Sequence, residues 1–443
     1  MNLRTPPMKV EKLQTALHTK AKAEPEYRFY ALYDKMYRSD VLGYAYECCH
    51  ANAGAAGVDD QTFDDIQEYG VDKWLGELAA ELQAKTYQAS AVRRVWIPKA
   101  DGKLRPIGIP TIRDRVVQKA TVLVLEPIFE ADLLPEQYGY RPGQGALDAV
   151  RSVQQLLDQG YTDVVDADLS GYFDSIPHAE LMKSVTRRIV DRHLLRLIKG
   201  WLEAAVEETD ERGRVTRTTR AKDERQGTPQ GGVLSPLLAN LYMRRFLLAW
   251  KQHGHEKRLD ARIVNYADDF VICTRQQAAA ALTQMRQIMG KLQLTVNEQK
   301  TRQCAVPDET FTFLGYTFGR CYSMRTGRGY ISARPSVKKV GAVTAKVSEL
   351  TRGRTTQRET QEVVSSLNSV LRGWANYFCL GPVRGIYEAL SSYARRRLRR
   401  WLVRKHRVSG RGLTEYPREY LHTELGLIQL ENFRARSLWA KVW

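Results

Sequence analysis

The segment "ARIVNYADDFVIC", Ala261 to Cys273, constrains this chain more than any other. Ile263-Val264 and Phe270-Val271-Ile272 are apolar runs that call for burial, and between them stand two adjacent carboxylates, Asp268 and Asp269. Burying both runs as paired strands holds the two acids side by side at the tip of a hairpin. Like charges that close raise each other's pKa unless something positive sits between them. The pair therefore needs partners. An Asp-Asp dipeptide alone carries no such message: Asp59-Asp60 and Asp64-Asp65 fall in a small, polar stretch between Ala51 and Asp65 that reads as solvated loop.

A second segment, "TDVVDADLSGYFDSIPH", reads as a buried strand ending in carboxylates, then a turn and a helix start. Val164 and Val165 lead to Asp168 at its C-terminal end. Three carboxylates on the ends of two neighbouring strands can hold two Mg²⁺ roughly 3.5–4 Å apart. Catalysis of nucleotidyl transfer is mostly such positioning and charge neutralisation. From the residues alone, Asp168 reads equally well as a turn residue or helix N-cap. Asp166 and Asp174 read as supporting groups.

Around these segments the chain alternates. Met1 to His50 is helical and basic, broken near Pro25; "VRRVWIPKADGKLRPIGIP" is a hairpin; "RDRVVQKATVLVLEPIF" is helical. The polar stretch "TDERGRVTRTTRAKDER" leads into "QGTPQGGVLSPLLANLYMRRFLLAW", a glycine-rich loop and a long apolar helix. Short strands run through "FTFLGYTFGR", and after Ser336 strand signals stop. The expected fold is α+β, a mixed catalytic body followed by an all-helical region. Charge is uneven: of a net +18, Lys338 to Trp443 carries +13, from 21 Lys+Arg against 8 Asp+Glu. A region that basic implies a polyanionic partner, most often nucleic acid. Six cysteines without a Cys-x-x-Cys pair offer neither a zinc ribbon nor a disulfide framework. With no apolar run near ~18 residues and no signal-peptide core, no membrane partner is expected and the chain reads as cytoplasmic.

The order of segments resembles a known family. A strand with Asp168, then "QGTPQGGVLSPLLANLY", "YADD", "LTVNEQKT" and "FLGYTF" resembles the palm of reverse transcriptases, and within them the group II intron-encoded enzymes, or maturases. Upstream, "IPKADGKLRPIGIPTIRDRVVQKA" and "LPEQYGYRPGQGALDAV" look like that family's fingers, and "LNSVLRGWANYF" like its thumb. No HNH endonuclease segment is present, which resembles the group IIC-type proteins. The resemblance implies a right-hand polymerase: a 1–60 N-terminal extension, fingers and an antiparallel-sheet palm over 61–325, a helical thumb or maturase domain over 336–406, and a short nucleic-acid-binding tail over 407–443.

Residue by residue, the resemblance makes Asp168, Asp268 and Asp269 the catalytic metal ligands for two Mg²⁺, with Leu169 adding its backbone carbonyl. Phe173 would be the steric gate against a 2′-hydroxyl. Gln230 would lie against the nucleotide and template, Gly231 and Gly232 would let the backbone approach the base pair closely, Lys99 and Arg105 would grip the triphosphate, and Lys300 would offset or protonate pyrophosphate. Partners implied are group II intron RNA, an RNA template with DNA or RNA primer, target DNA and dNTPs. In "GIYEALSSYARRRLRRWLVRKHR", Tyr387, Leu390, Ala394, Leu398 and Trp401 form one apolar stripe. Arg395, Arg396, Arg399 and Arg400 are expected to point largely away from it, along a phosphate backbone. Two other readings stay open: a free-standing relative in repair or phage defence, and a non-catalytic RNA-binding splicing factor.

Overall fold

In a computed structural model of the chain, residues 5–98, 102, 104–210, 212–323 and 325–433 are described. Its strands, in chain order, are β1 (Val92–Pro98), β2 (Leu104–Ile109), β3 (Asp163–Ala167), β4 (Val206–Thr209), β5 (Val215–Thr218), β6 (Ala261–Tyr266), β7 (Asp269–Thr274), β8 (Arg302–Ala305), β9 (Phe311–Phe313), β10 (Tyr316–Tyr322) and β11 (Gly329–Pro335). They form three sheets, with orders β2-β1-β4-β5, β6-β7-β3-β8 and β11-β10-β9.

The second sheet is antiparallel throughout and is the palm. Its side chains alternate between two cores, as the period of a strand requires. Val165, Ile263, Phe270 and Ile272 face the main core, beside the helices Ser235–Gln252 and Ala278–Lys291. Val164, Val264, Val271 and Cys273 face a second core, built with the helix Ala146–Asp158 and the sheet β11-β10-β9. Burial of a Phe, Val or Ile side chain contributes about 2 kcal/mol. Phe270, Val271 and Ile272 are all essentially inaccessible, so β7 is fixed firmly enough to hold two like charges at its end.

The helix Ile112–Glu130 is buried on nearly every side and organises the main core. The helices Met8–Ala23 and Ser39–Asn52 supply Val10, Leu17, Ala21, Val41, Leu42 and Cys49 to that core. Residues 5–60 are thus packed into the body and are not an appendage with a core of its own. Asp64 and Asp65 correct the loop reading: they lie in the first turn of a helix, Phe63–Tyr69. Thr62 caps it, its Oγ1 accepting from Asp65 N (3.2 Å) while the Asp65 carboxylate accepts from Thr62 N (2.7 Å).

The β1–β2 hairpin stands where the sequence predicts it. The polar stretch after Val206 does not remain irregular. It folds as the β4–β5 hairpin and extends the fingers sheet, β4 running parallel to β1. Beyond Ser336 the helices Val337–Leu350, Thr360–Tyr377 and Arg384–Lys405 build a third core. Tyr387, Leu390, Ala394, Leu398 and Trp401 are all buried in it, as the stripe requires. So are Tyr416, Leu421, Leu427 and Leu430, and residues 407–433 therefore share the thumb's core instead of forming a separate tail.

Candidate active site

Antiparallel pairing of β3 with β7 brings the end of one to the start of the other. Ala167 faces Phe270 in register, so Asp168 emerges beside the Asp268-Asp269 turn. That turn is short, because Tyr266 pairs directly with Asp269. Ala267 sits in it at φ 60°, a conformation that costs a non-glycine residue roughly 1–3 kcal/mol. The surroundings hold it there. Asn265 Nδ2 donates to the Ala267 carbonyl (2.8 Å), and Asn265 N donates to the Glu136 carbonyl (2.9 Å). A Cβ on Gly139 would stand 2.5 Å from Ala267 N, so only glycine lets this segment lie against the turn. Asn240 Nδ2 secures it through the Gly139 carbonyl (2.6 Å).

Asp168 is tied on its other side. Its Oδ2 accepts from Asn297 Nδ2 (3.0 Å) and lies 3.1 Å from Lys300 Nζ, and its backbone N donates to Thr301 Oγ1 (3.2 Å). Lys300 thus sits on an acid of the cluster. Asp166 pairs with Arg302 (3.3 Å) across β3 and β8, in the supporting role expected of it.

The charges are crowded. Burial, then the carboxylates of Asp268, Asp168 and Asp166, push the Asp269 carboxyl up to about 7. Asp269 is nonetheless open to solvent, crowded by its neighbours yet reachable. Asp268 is raised by burial and by Asp168, and Arg105 and Lys300 oppose that. An excess of anionic oxygen at the ends of neighbouring strands suits a hard divalent cation. Among the described residues, no three His, Cys, Asp or Glu side chains stand at the spacing of a formed metal-ion site. The donor set fits a cation by its charge and chemistry.

Arg105, Gln230 and Asp174 form a hydrogen-bonded chain. Arg105 Nε donates to Gln230 Oε1 (3.0 Å), and Gln230 Nε2 donates to Asp174 Oδ2 (3.0 Å). Gly231, at φ 112°, backs onto β2: a Cβ there would lie 2.2 Å from the Gly108 carbonyl oxygen. Its glycine is required by this contact with the fingers strand. Phe173 is buried in the main core against Tyr172, and its carbonyl accepts from Thr228 N (2.6 Å). Leu169 is buried and bridges to Val296. Lys99 lies outside the described residues.

The four thumb arginines do not share one face. Arg396 and Arg400 are exposed, one turn apart. Arg395 and Arg399 are half-buried, and Arg399 Nε donates to the Tyr416 carbonyl (2.8 Å). Arg397 is docked onto Thr351 Oγ1 (3.0 Å).

The "FLGYTF" turn is braced by the thumb. Leu314 and Gly315 both have positive φ, as a two-residue hairpin turn demands. Tyr377 Oη donates to the Leu314 carbonyl (2.8 Å). Sequence reasoning missed Asn297, Thr301, Gly108, Gly139 and Gln118. Gln118 Oε1 accepts from Val233 N (2.9 Å) and Leu234 N (3.3 Å), so it fixes the loop that carries Gln230. A glycine inside the apolar strand "PIGIP" was the one available signal, since strand glycines mark close backbone approach.

Known proteins with this arrangement are recognisable in the chain. Residues 97–318 match the family described as reverse transcriptase (RNA-dependent DNA polymerase), and residues 340–416 match the group II intron, maturase-specific domain. Protein YkfC of Escherichia coli (strain K12) is 34% identical over 381 residues, covering 75% of this chain and 94% of that protein. Group II intron-encoded protein LtrA of Lactococcus lactis subsp. cremoris is 33% identical over 229 residues, covering 50% of this chain. This chain spans only 36% of LtrA's length. An uncharacterized 91 kDa protein in the cob intron of Schizosaccharomyces pombe is 24% identical over 428 residues, 80% of this chain and 51% of that protein. The chain belongs to the reverse transcriptase family and carries a group II intron maturase-specific domain.

Proposed function

We propose that this chain copies RNA into DNA at the cluster of Asp168, Asp268 and Asp269, and binds group II intron RNA through its helical region to assist splicing and retrohoming. One observation carries the reading most: the pairing of β3 with β7 brings Asp168 beside the Asp268-Asp269 turn, where burial first and then the neighbouring carboxylates raise Asp269 to about 7. Two Mg²⁺ held by Asp168, Asp268, Asp269 and the Leu169 carbonyl would supply activation of a 3′-hydroxyl and neutralise charge on the leaving pyrophosphate.

The protein's own groups do the rest. Arg105 stands on the fingers strand with its guanidinium oriented by Gln230, and an exposed guanidinium there suits a triphosphate. Lys300 offsets Asp168, and would turn to pyrophosphate once metal neutralises that acid. Phe173, fixed by the core and by Thr228, would keep its ring against the sugar of an incoming dNTP. Asp174 holds Gln230 in place.

An RNA template with its DNA or RNA primer would lie between fingers, palm and thumb, with target DNA taking the same cleft during insertion. We assign 61–325 to fingers and palm, and 336–433 to the thumb. No helix among the described residues is long and apolar enough to cross a membrane. A cytoplasmic location accords with the six free cysteines. A free-standing role in repair or phage defence would use the same carboxylates, but the likeness to intron-encoded proteins favours the intron-associated reading.

The test is extension of a DNA primer on an RNA template with dNTPs and Mg²⁺. Extension that stops on chelation and resumes on adding metal is expected. A folded protein that binds intron RNA and never extends a primer would favour the splicing-factor reading instead.

A further inference from the structure

Tyr140 follows Gly139, whose backbone lies against the Asp268-Asp269 turn, and its own backbone is strained. Its φ is 56°, in the left-handed region that a bulky L side chain enters only at a cost. Both neighbours hold it there. Gly139 is pressed against Ala267 and secured by Asn240. Arg141, its side chain buried, donates to the Leu134 and Gln137 carbonyls (both 2.7 Å) and pairs with Glu130. Glycine or asparagine would meet that conformation more easily. The chain instead spends the strain on a tyrosine that is 50% exposed. Strain of this kind, kept by its surroundings at an exposed aromatic, points to a contact outside the fold.

The ring stands among the catalytic groups. Tyr266, which pairs with Asp269, is its aromatic neighbour, with ring centroids 6.5 Å apart. Burial, then Asp268 and Tyr266, push the Tyr140 phenol up, and Arg105 opposes them. The ring therefore feels both the acids and the fingers arginine. The sheet order β6-β7-β3-β8 gives the acids two sides. Lys300 reaches Asp168 from the segment that enters β8. Tyr140 lies on the other side, because its segment runs along β6 through the bridge from Gln137 to Asn265. In phosphoryl transfer the attacking and leaving oxygens lie roughly in line. With pyrophosphate leaving toward Lys300, the attacking 3′-hydroxyl arrives from the side of β6.

We propose that the Tyr140 ring packs against the last nucleotide of the primer and seats its 3′ end at Asp268 and Asp269. An aromatic face accepts any nucleotide, so the contact holds the strand end without reading sequence. It adds no charge to the site. The inference rests on the proposed polymerase reading and assigns a primer contact within it.

The test uses the full chain with an RNA template and a DNA primer. Tyr140→Asn removes the ring and keeps a residue that tolerates left-handed φ, so the melting temperature should hold. Kd and KM for the template–primer should rise at least about fivefold, the loss that follows removal of one aromatic–nucleotide contact. KM for dNTP should stay at its wild-type value. The slope of log K against log salt should not change either, because no phosphate contact is lost. Tyr140→Phe, which restores the ring, should recover most of the affinity. Unchanged Kd and KM for the template–primer in Tyr140→Asn would overturn the inference and leave the polymerase reading intact. A lower melting temperature, with reduced kcat at saturating primer and unchanged KM, would also overturn it by showing that the ring braces Tyr266 and the turn. A rise confined to KM for dNTP would put the ring against the incoming nucleotide and overturn the primer contact. A wild-type chain that never extends a primer would fail the polymerase reading itself, and this inference with it.

Discussion

Gly231→Ala tests how the fingers are coupled to the catalytic loop. The substitution has two costs. At φ 112° a side chain is strained by roughly 1–3 kcal/mol. Its Cβ would also stand 2.2 Å from the Gly108 carbonyl oxygen, which is backbone and cannot rotate aside. Relief requires the loop and β2 to part by about 1 Å, to an ordinary contact distance near 3.2 Å. Parting breaks the bond from Gly108 N to the Gln230 carbonyl (2.6 Å), worth about 1 kcal/mol. The total is roughly 2–4 kcal/mol, taken locally. Displacing Arg105 from Gln230 by about 1 Å should lower kcat/KM for dNTP on the order of 100-fold. Steady-state incorporation and denaturant titration measure both effects. Gly213→Ala is the control: φ is 77° but nothing lies within 4 Å of its Cβ, so it carries strain without crowding. If Gly231→Ala keeps wild-type kcat/KM, or loses no more stability than Gly213→Ala, the coupling argued here is wrong.

Further expectations concern the gate, the thumb and the acids. Phe173→Ala should raise the ratio of rNTP to dNTP incorporation. It should also cost about 3–5 kcal/mol of stability as a buried aromatic, so the ratio must be read on protein shown by its melt to be folded; an unchanged ratio would place the gate elsewhere. Neutralising exposed Arg396 and Arg400 should lower the slope of log K against log salt for RNA by about 0.7–0.9 per lost phosphate contact without moving the melting temperature. Arg399→Gln should lower the melting temperature, since it loses the bond to Tyr416; the opposite assignment of the two pairs would contradict the structure. Asp269 is raised to about 7, so in the metal-free chain its charge is unfavourable. Stability should fall as pH climbs from the ordinary carboxylate range toward 7 and then level. Mg²⁺ affinity should rise over the same window, because binding requires the deprotonated acid; isothermal titration at pH 6 and pH 8 reads the sign.

The palm was legible because strand alternation and apolar runs leave few choices. β3, β6 and β7 each bury side chains on both faces, and the acids follow from where those strands end. The β4–β5 hairpin gave no such signal: Val215 to Thr218 is exposed at every position, so no hydrophobic period exists to read. Asp64 and Asp65 were misread because a capping box competes with solvation for the same polar residues, and Thr62 three positions before Asp65 was the missed cue. Gln118 and Asn297 act over long separations in sequence, Gln118 on residues 115 and 116 positions away. Contacts at that range depend on tertiary packing, which local pattern does not encode. The arginine run was read as basic and as pointing largely away from the stripe; Arg396 and Arg400 are exposed, whereas Arg399 bonds the C-terminal segment that folds back on it and Arg395 bonds Ser392 of its own helix.

The central claim, that Asp168, Asp268 and Asp269 form one catalytic cluster, is tested most directly by Asp268→Asn. The amide keeps the size of the side chain and removes one charge from a site crowded with carboxylates. The fold should hold, and the melting temperature of the metal-free protein should stay level or rise as repulsion with Asp168 and Asp269 is relieved. Primer extension on an RNA template with Mg²⁺ should fall by a factor on the order of 100–1,000, corresponding to several kcal/mol of lost transition-state stabilisation. Near-normal extension by the folded variant would contradict the account.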